Sequence, residues 1–296
     1  MLCSIIKNKF KDLIQGNVIG PLQIELNTSP LCQVSQIVLA REFAESPASF
    51  DLAEVGFSVF SEFEEDGILL YLFAALGAGN RRLVEIGCGD GLQNNSTNLI
   101  VNHRWTGVLI DADASNIATA KSYFKNLKST KLFPPTILQA LVTPENVNSL
   151  LVDSGITAKE VDLLSIDIDT VDLWVLEALD VVQPRVIVAE INARWEADES
   201  MTTPRNACDA PQFHPECGMI YGGASLAAFQ KLLGRRGYRL VASNAVATNV
   251  FFVREDCVPD YLPPISPEEI LNKDRARRIR ATSKKHLSNY RWSIYS

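Results

Sequence analysis

Between Arg82 and Arg254 the chain alternates short, nearly continuous apolar runs with stretches whose apolar positions recur every three or four residues. The runs RLVEIG (82–87), GVLID (107–111), TILQAL (136–141), VDLLSID (161–167) and RVIVAEI (185–191) have the length and β-branched content of strands buried on both faces. ASNIATAKSYFKNL and TVDLWVLEALDVV, which lie between them, read as amphipathic helices. Strands separated by helices imply a mostly parallel sheet covered on both sides, a doubly wound α/β domain over residues 81–256. A further helix, ASLAAFQKLLGRRG, stops at Gly237 and is followed by YRLVAS (238–243) and NVFFVR (249–254). NAVAT between them is too short for a crossover helix, which predicts an antiparallel pair at the sheet edge and seven strands in all, the last antiparallel.

Three segments lie outside this alternation. Residues 1–80 read as a helical extension with a helix at EEDGILLYLFAAL, serving either as a cover over the active site or as a homodimer contact. Residues 194–223, rich in Pro, Gly, Asp and Cys, interrupt the alternation, and a loop of that length inside a compact domain is usually functional. Residues 257–296 form a Pro-led tail. From Leu271 onward it has eight Lys/Arg and one acid, Asp274, and it reads as a solvated, partly helical segment.

The 296 residues carry a net charge of −7, which argues against general affinity of the body for nucleic acid or an anionic membrane. No stretch has the roughly 18 apolar residues that a membrane span needs, and the N-terminus lacks a signal-like apolar region. Six scattered cysteines without a CxxC pair fit reduced thiols, and the expected location is cytoplasmic.

The chemistry begins where the first strand ends. Gly87, Gly89 and Gly91 follow it at two-residue spacing, and glycine there permits both a sharp turn and a close backbone approach to a ligand. Asp111 ends the second strand, where nucleotide-binding α/β folds place an acid that accepts hydrogen bonds from ribose hydroxyls; Asp113 or Ser115 is available to cap the next helix. A nicotinamide fingerprint would place its third glycine where Leu92 stands, and Glu85 precedes the first glycine by two residues.

This E-x-G-x-G-x-G pattern, with the terminal antiparallel strand pair, resembles class I S-adenosylmethionine-dependent methyltransferases. SEFEEDGIL (61–69), VEIGCGDGLQNNSTNLI, LIDAD, LLSIDIDTVDLWV, VIVAEINA and YGGASL together are similar to FkbM-type methyltransferases over residues 58–254. Those relatives tend to carry glycine where this chain has Thr170. The resemblance implies S-adenosylmethionine as cofactor and O-methylation of a hydroxyl on a small molecule, sugar or natural-product intermediate. Its cofactor residues would be Glu85, Gly87, Gly89, Gly91, Asn95, Asp111, Leu141 and Asp167, with Asn94 to Ser96 either binding the methionine carboxylate or capping the helix. Glu64 to Gly67 reads as a helix start with a weaker ligand role.

Ligands in open α/β sheets bind beyond the carboxyl ends of the strands. Asp167 ends strand four and Asp169 follows just after it, and these are the candidate catalytic carboxylates, with Asp172 beyond them; Asp167, Glu190 and Asn192 form a candidate oxygen set for Mg²⁺, against the simpler reading that these acids cap helices or pair with bases. Of three histidines, His214 in the interrupting segment is the candidate general base, His103 reads as a helix C-terminal cap, and His286 lies in the tail. Trp195 and Tyr221 are candidate substrate walls. Two competing readings remain at this point, an NAD(P)-dependent oxidoreductase and a non-catalytic scaffold of the same fold.

Overall fold

Seven strands form the central sheet of the computed structural model, which describes residues 20–156, 159–207, 212–214 and 218–296. They are β1 (Arg82–Ile86), β2 (Thr106–Asp111), β3 (Thr136–Gln139), β4 (Glu160–Ile166), β5 (Gln183–Glu190), β9 (Tyr238–Ser243) and β10 (Asn249–Arg254). Three short strands of the insertion, β6 (Met201–Thr202), β7 (Gln212–His214) and β8 (Gly218–Tyr221), come between β5 and β9. Spatial order is β3-β2-β1-β4-β5-β10-β9, parallel through β5, with β10 antiparallel to both of its neighbours. The expected antiparallel pair is present, and β10 lies inside the sheet while β9 takes the edge.

The apolar runs lack alternation because both faces are covered. Leu83, Leu109, Leu163 and Phe251 pack into one core, and their chain neighbours Val84, Ile110, Leu164 and Phe252 into the other. Helices α1 (Gly20–Asn27), α2 (Pro30–Glu45), α3 (Glu65–Leu76), α4 (Thr97–His103), α5 (Ala114–Asn126), α6 (Val147–Asp153), α7 (Asp172–Ala178) and α8 (Leu226–Arg235) precede β9 or connect the strands. Two more, α9 (Pro267–Leu271) and α10 (Asp274–Ser283), follow β10, and β11 (Ser293–Ile294) ends the chain.

The acids of the EEDG stretch hold the chain together. Asp66 Oδ2 accepts from the amides of Val59, Phe60 and Ser61 at 2.6–2.9 Å, and Glu65 Oε1 accepts from the side-chain amides of Asn244 and Asn249 at 2.7 and 2.8 Å. Glu64 accepts from the amide of Ala245. The start of α3 is thus fastened to the β9–β10 connection. Gly67 allows the fit, because a Cβ there would lie 2.3 Å from the Val55 carbonyl oxygen and 2.4 Å from the Phe57 nitrogen. An exposed helical glycine gains stability on conversion to alanine; Gly67→Ala should instead lose about 1–3 kcal/mol by overpacking, and a gain in denaturant unfolding would contradict this packing.

The tail is partly helical, as expected, and Arg275, Arg277, Arg278, Lys285 and Arg291 are exposed, but part of it is bound to the body. Arg280 and Lys284 bind Glu196 at 3.2 and 3.0 Å, Lys284 also binds Glu199 at 2.9 Å, and β11 pairs antiparallel with β6. Two of its basic residues, Arg280 and Lys284, therefore neutralise acids of the segment that leaves β5.

Candidate functional site

At the carboxyl ends of the parallel strands lies a cavity of about 210 Å³ whose lining includes Gly87, Asp111, Leu141, Asp167, Asp169 and Thr170. These residues come from the ends of β1 and β2, the segment after β3 and the turn after β4. Strand order reverses between β1 and β4, which is where open α/β sheets form their ligand crevice.

Each of the three glycines has its own reason. Gly87 has φ +86°, and a Cβ on it would lie 1.6 Å from the Asp167 carbonyl oxygen. Gly89 (φ +55°) faces open space, where a Cβ would meet nothing within 4 Å. Gly91 (φ +75°) packs against α5, where a Cβ would come to 3.0 Å from Phe124 and 3.3 Å from Ala120. Of the three, Gly87 lines the cavity, Gly89 leaves open space at the turn, and Gly91 seats a helix.

Asp113 caps α5 by accepting from the amides of Ser115 and Asn116, so Asp111 is released from that task. Its Oδ2 accepts from the Gly89 amide at 2.9 Å, and Oδ1 from the Asp113 amide at 2.8 Å. The carboxylate therefore both steadies the glycine turn and lines the cavity.

Glu85 and Asn95, expected as cofactor contacts, have other partners. Glu85 is buried, accepts from the Asn95 amide at 2.9 Å and from the Ser96 hydroxyl, and holds the start of α4 beneath the glycine turn. Asn95 donates its side-chain amide to Ser165 Oγ at 3.1 Å. Asn94, in turn, caps α4 by accepting from the Thr97 amide at 2.9 Å. Neither Glu85 nor Asn95 lines the cavity, because alternation along β1 turns Glu85 to the face of Leu83.

Burial pushes the Glu85 carboxyl up to about 7 against the hydrogen bonds from Ser96 and Asn95 that favour its ionised form. Folded protein therefore holds this proton over a pH range in which the unfolded chain, near 4.5, has released it. The contribution is complete below about 4.5 and is lost as pH rises through about 7. Relative to the native protein, Glu85→Gln should gain up to about 3 kcal/mol as pH is raised across this range. Chemical unfolding of both proteins at several pH values checks it; parallel curves would contradict the assignment.

The acids after β4 and β5 converge. Carboxylate oxygens of Asp167, Asp169 and Glu190 lie within 4.8 Å of one another. Burial first, and then their mutual charge, holds Asp167 and Glu190 well above the usual carboxylate range, and Asp169 is raised by burial. Asp169 has φ +62°, a left-handed conformation, and its carboxylate lies beside the other two acids. Asp172 fixes this turn, accepting from the amides of Ile168 at 2.7 Å and Thr170 at 3.0 Å, and burial raises its carboxyl to about 6. Thr170 is outside the left-handed region, so the turn does not require the glycine of the resembled family at that position.

Asn192 does not join the acids. Its side-chain amide donates to Gly222 O at 3.0 Å and its oxygen accepts from the Arg194 amide at 3.2 Å, which makes it a brace of the insertion. The clustered carboxylates are therefore Asp167, Asp169 and Glu190.

Trp195 and Tyr221 meet the tail. Trp195 lies edge-to-face with Trp292 (centroids 5.0 Å), and Tyr221 stacks on Tyr290 (5.2 Å). The aromatic residues expected as substrate walls thus form one cluster with Leu287, Tyr290 and Trp292. Sequence reading missed this, because the partners lie some seventy to a hundred residues further along the chain. The His214 side chain lies outside the described residues. His103 departs from the expected cap: Arg104 in the left-handed conformation ends α4, while His103 Nε2 meets Gln36 Oε1 at 2.8 Å. Burial pushes His103 down to about 4, which keeps it neutral.

No protein-family model and no curated protein matches the chain. Among solved structures it is similar to magnesium protoporphyrin IX methyltransferase from Synechocystis PCC 6803 with bound SAM, at 12% identity over 84% of this chain and 96% of that one, with a TM-score of 0.38. It is also similar to the CurJ carbon methyltransferase (10% identity, 79% and 70% covered, TM-score 0.40). For the O-methyltransferase from Bacillus cereus in complex with SAH, the values are 19%, 51% and 65%, and 0.32. These are likenesses of outline at low identity, and they transfer no site residue to this chain. The strand order and the antiparallel β10 give the chain a doubly wound, Rossmann-like sheet.

Proposed function

We propose that the protein is an S-adenosylmethionine-dependent methyltransferase acting on a hydroxyl oxygen of a small molecule, sugar or natural-product intermediate. The observation that carries this reading is the convergence of Gly87, Asp111, Leu141 and Asp167 on one cavity at the strand-order reversal. Asp111 supports it as the ribose acceptor, and Leu141, 62% exposed beside the cavity, as a neighbour for adenine. When bound, the cofactor supplies an electrophilic sulfonium methyl.

An acceptor hydroxyl attacking that methyl would have to give up its proton, and Asp167 and Asp169, which line the cavity, would be the carboxylates to take it. A carboxyl raised above its ordinary range is a stronger base once ionised, which brings proton transfer closer to neutral pH. The trio Asp167, Asp169 and Glu190 also fits a hard divalent cation such as Mg²⁺, for which three clustered carboxylates are a suitable donor set. A cation there would acidify and position the acceptor hydroxyl.

Titration calorimetry with S-adenosylhomocysteine and with NADH tests the cofactor. Binding of the first and none of the second is expected; the reverse would establish the oxidoreductase reading. Methyl transfer to a panel of hydroxylated metabolites, in Mg²⁺ and in EDTA, tests the chemistry. Turnover excludes a scaffold, and equal rates in EDTA exclude the cation.

A further inference from the structure

The loop between α5 and β3 presents two large apolar side chains that nothing among the described residues covers. Leu132 and Phe133 are 77% and 86% exposed, and neither belongs to a hydrophobic cluster. The loop is braced in that position. Buried Thr130 donates its hydroxyl to Phe124 O at 2.5 Å, the Lys131 amide donates to Leu127 O at 2.9 Å, and the Phe133 amide donates to Thr130 O at 3.0 Å. Pro134 and Pro135 then lead into β3. An adjacent apolar pair held out on a hydrogen-bonded turn offers a small apolar contact surface.

The surrounding charge selects the partner. Residues 114–135 contain Lys121, Lys125, Lys128 and Lys131, all exposed, and no acid, within a chain of net charge −7. Exposed Arg81 and Arg104 stand at the same rim, before β1 and β2, where the Thr106 amide donates to Arg81 O at 3.1 Å. We propose that this basic rim docks on an anionic lipid surface, with Leu132 and Phe133 entering the interface and the lysines facing the headgroups. Two-fold pairing with a second copy would set one lysine cluster against another, which like-charge repulsion opposes. A nucleic acid would meet the lysines but leave the apolar pair without a task.

Helix α5 has 13 residues and separates this rim from the cavity by about 20 Å. Docking would leave the cavity facing away from the lipid, open to a water-soluble acceptor. The inference does not rest on methyl transfer.

Co-sedimentation of the full chain with vesicles of phosphatidylcholine alone, or mixed with phosphatidylserine, tests the proposal. The mixed vesicles should bind roughly tenfold more strongly, and added salt should reduce the difference. Leu132→Ser with Phe133→Ser, and separately Lys128→Glu with Lys131→Glu, should each remove most of that gain while melting temperature stays near native, since all four side chains are exposed. Equal binding to both vesicles would overturn the proposal. So would undiminished binding by either double variant, or retention on RNA with none on vesicles.

Discussion

Asp111→Ala should weaken binding of S-adenosylhomocysteine by about 1.5–3 kcal/mol, the usual worth of a charge-assisted hydrogen bond in a partly enclosed site. The carboxylate has two tasks, because its Oδ2 also receives the Gly89 amide at 2.9 Å. Asp111→Asn separates them. The amide oxygen can still accept from Gly89, so the turn is kept, while the charge offered to the ribose is lost. Calorimetry on both variants should therefore show weakened binding in each, with the melting temperature falling more for alanine than for asparagine. An alanine variant with native affinity and an intact fold would place the ribose elsewhere.

A second large effect is expected at the first glycine. Gly87→Ala meets two obstacles at once, a backbone at φ +86° and a Cβ position 1.6 Å from the Asp167 carbonyl oxygen. That oxygen belongs to a backbone anchored by the Asp167 amide, which donates to Ile86 O at 2.9 Å, and it cannot move without prising β1 from β4. A loss of roughly 3–5 kcal/mol follows, at the upper end of what single substitutions do. Gly89→Ala is the control. It keeps the positive φ but meets no atom within 4 Å, so it should cost only about 1 kcal/mol. Gly89→Val, a β-branched side chain at the same positive φ, should cost more than alanine there. Similar unfolding energies for the two alanine variants would mean that β4 does not approach β1 as described.

Much of this was legible in the sequence. Seven strands could be read because burial on both faces leaves continuous apolar runs such as LLSI, and NAVAT was too short for anything but an antiparallel return. The place of Asp111 at the end of the second strand was also legible, with Asp113 two residues on to take the cap. What escaped depended on distant partners. Glu85 looked like a ligand contact because it sits beside the glycines, yet only the finished sheet shows it facing Asn95 and Ser96. Asn192 looked like a cation ligand by its place at a strand end, and the return of the insertion at Gly222 and Arg194 claims it instead. Asp169 was legible as a carboxylate just beyond strand four; only its left-handed backbone was announced by no local pattern. The basic tail read as solvated because its charges had no visible counterpart; Glu196 and Glu199, more than eighty residues earlier, supply it.

A crystal structure of the complex with S-adenosylhomocysteine is the most direct test of the central claim. The expected result has both ribose hydroxyls on the Asp111 carboxylate, adenine beside Leu141, and Asp167, Asp169 and Glu190 left free for acceptor or cation. A nucleoside bound at the opposite rim of the sheet, or a cavity closed by side chains with the ligand absent, would contradict it.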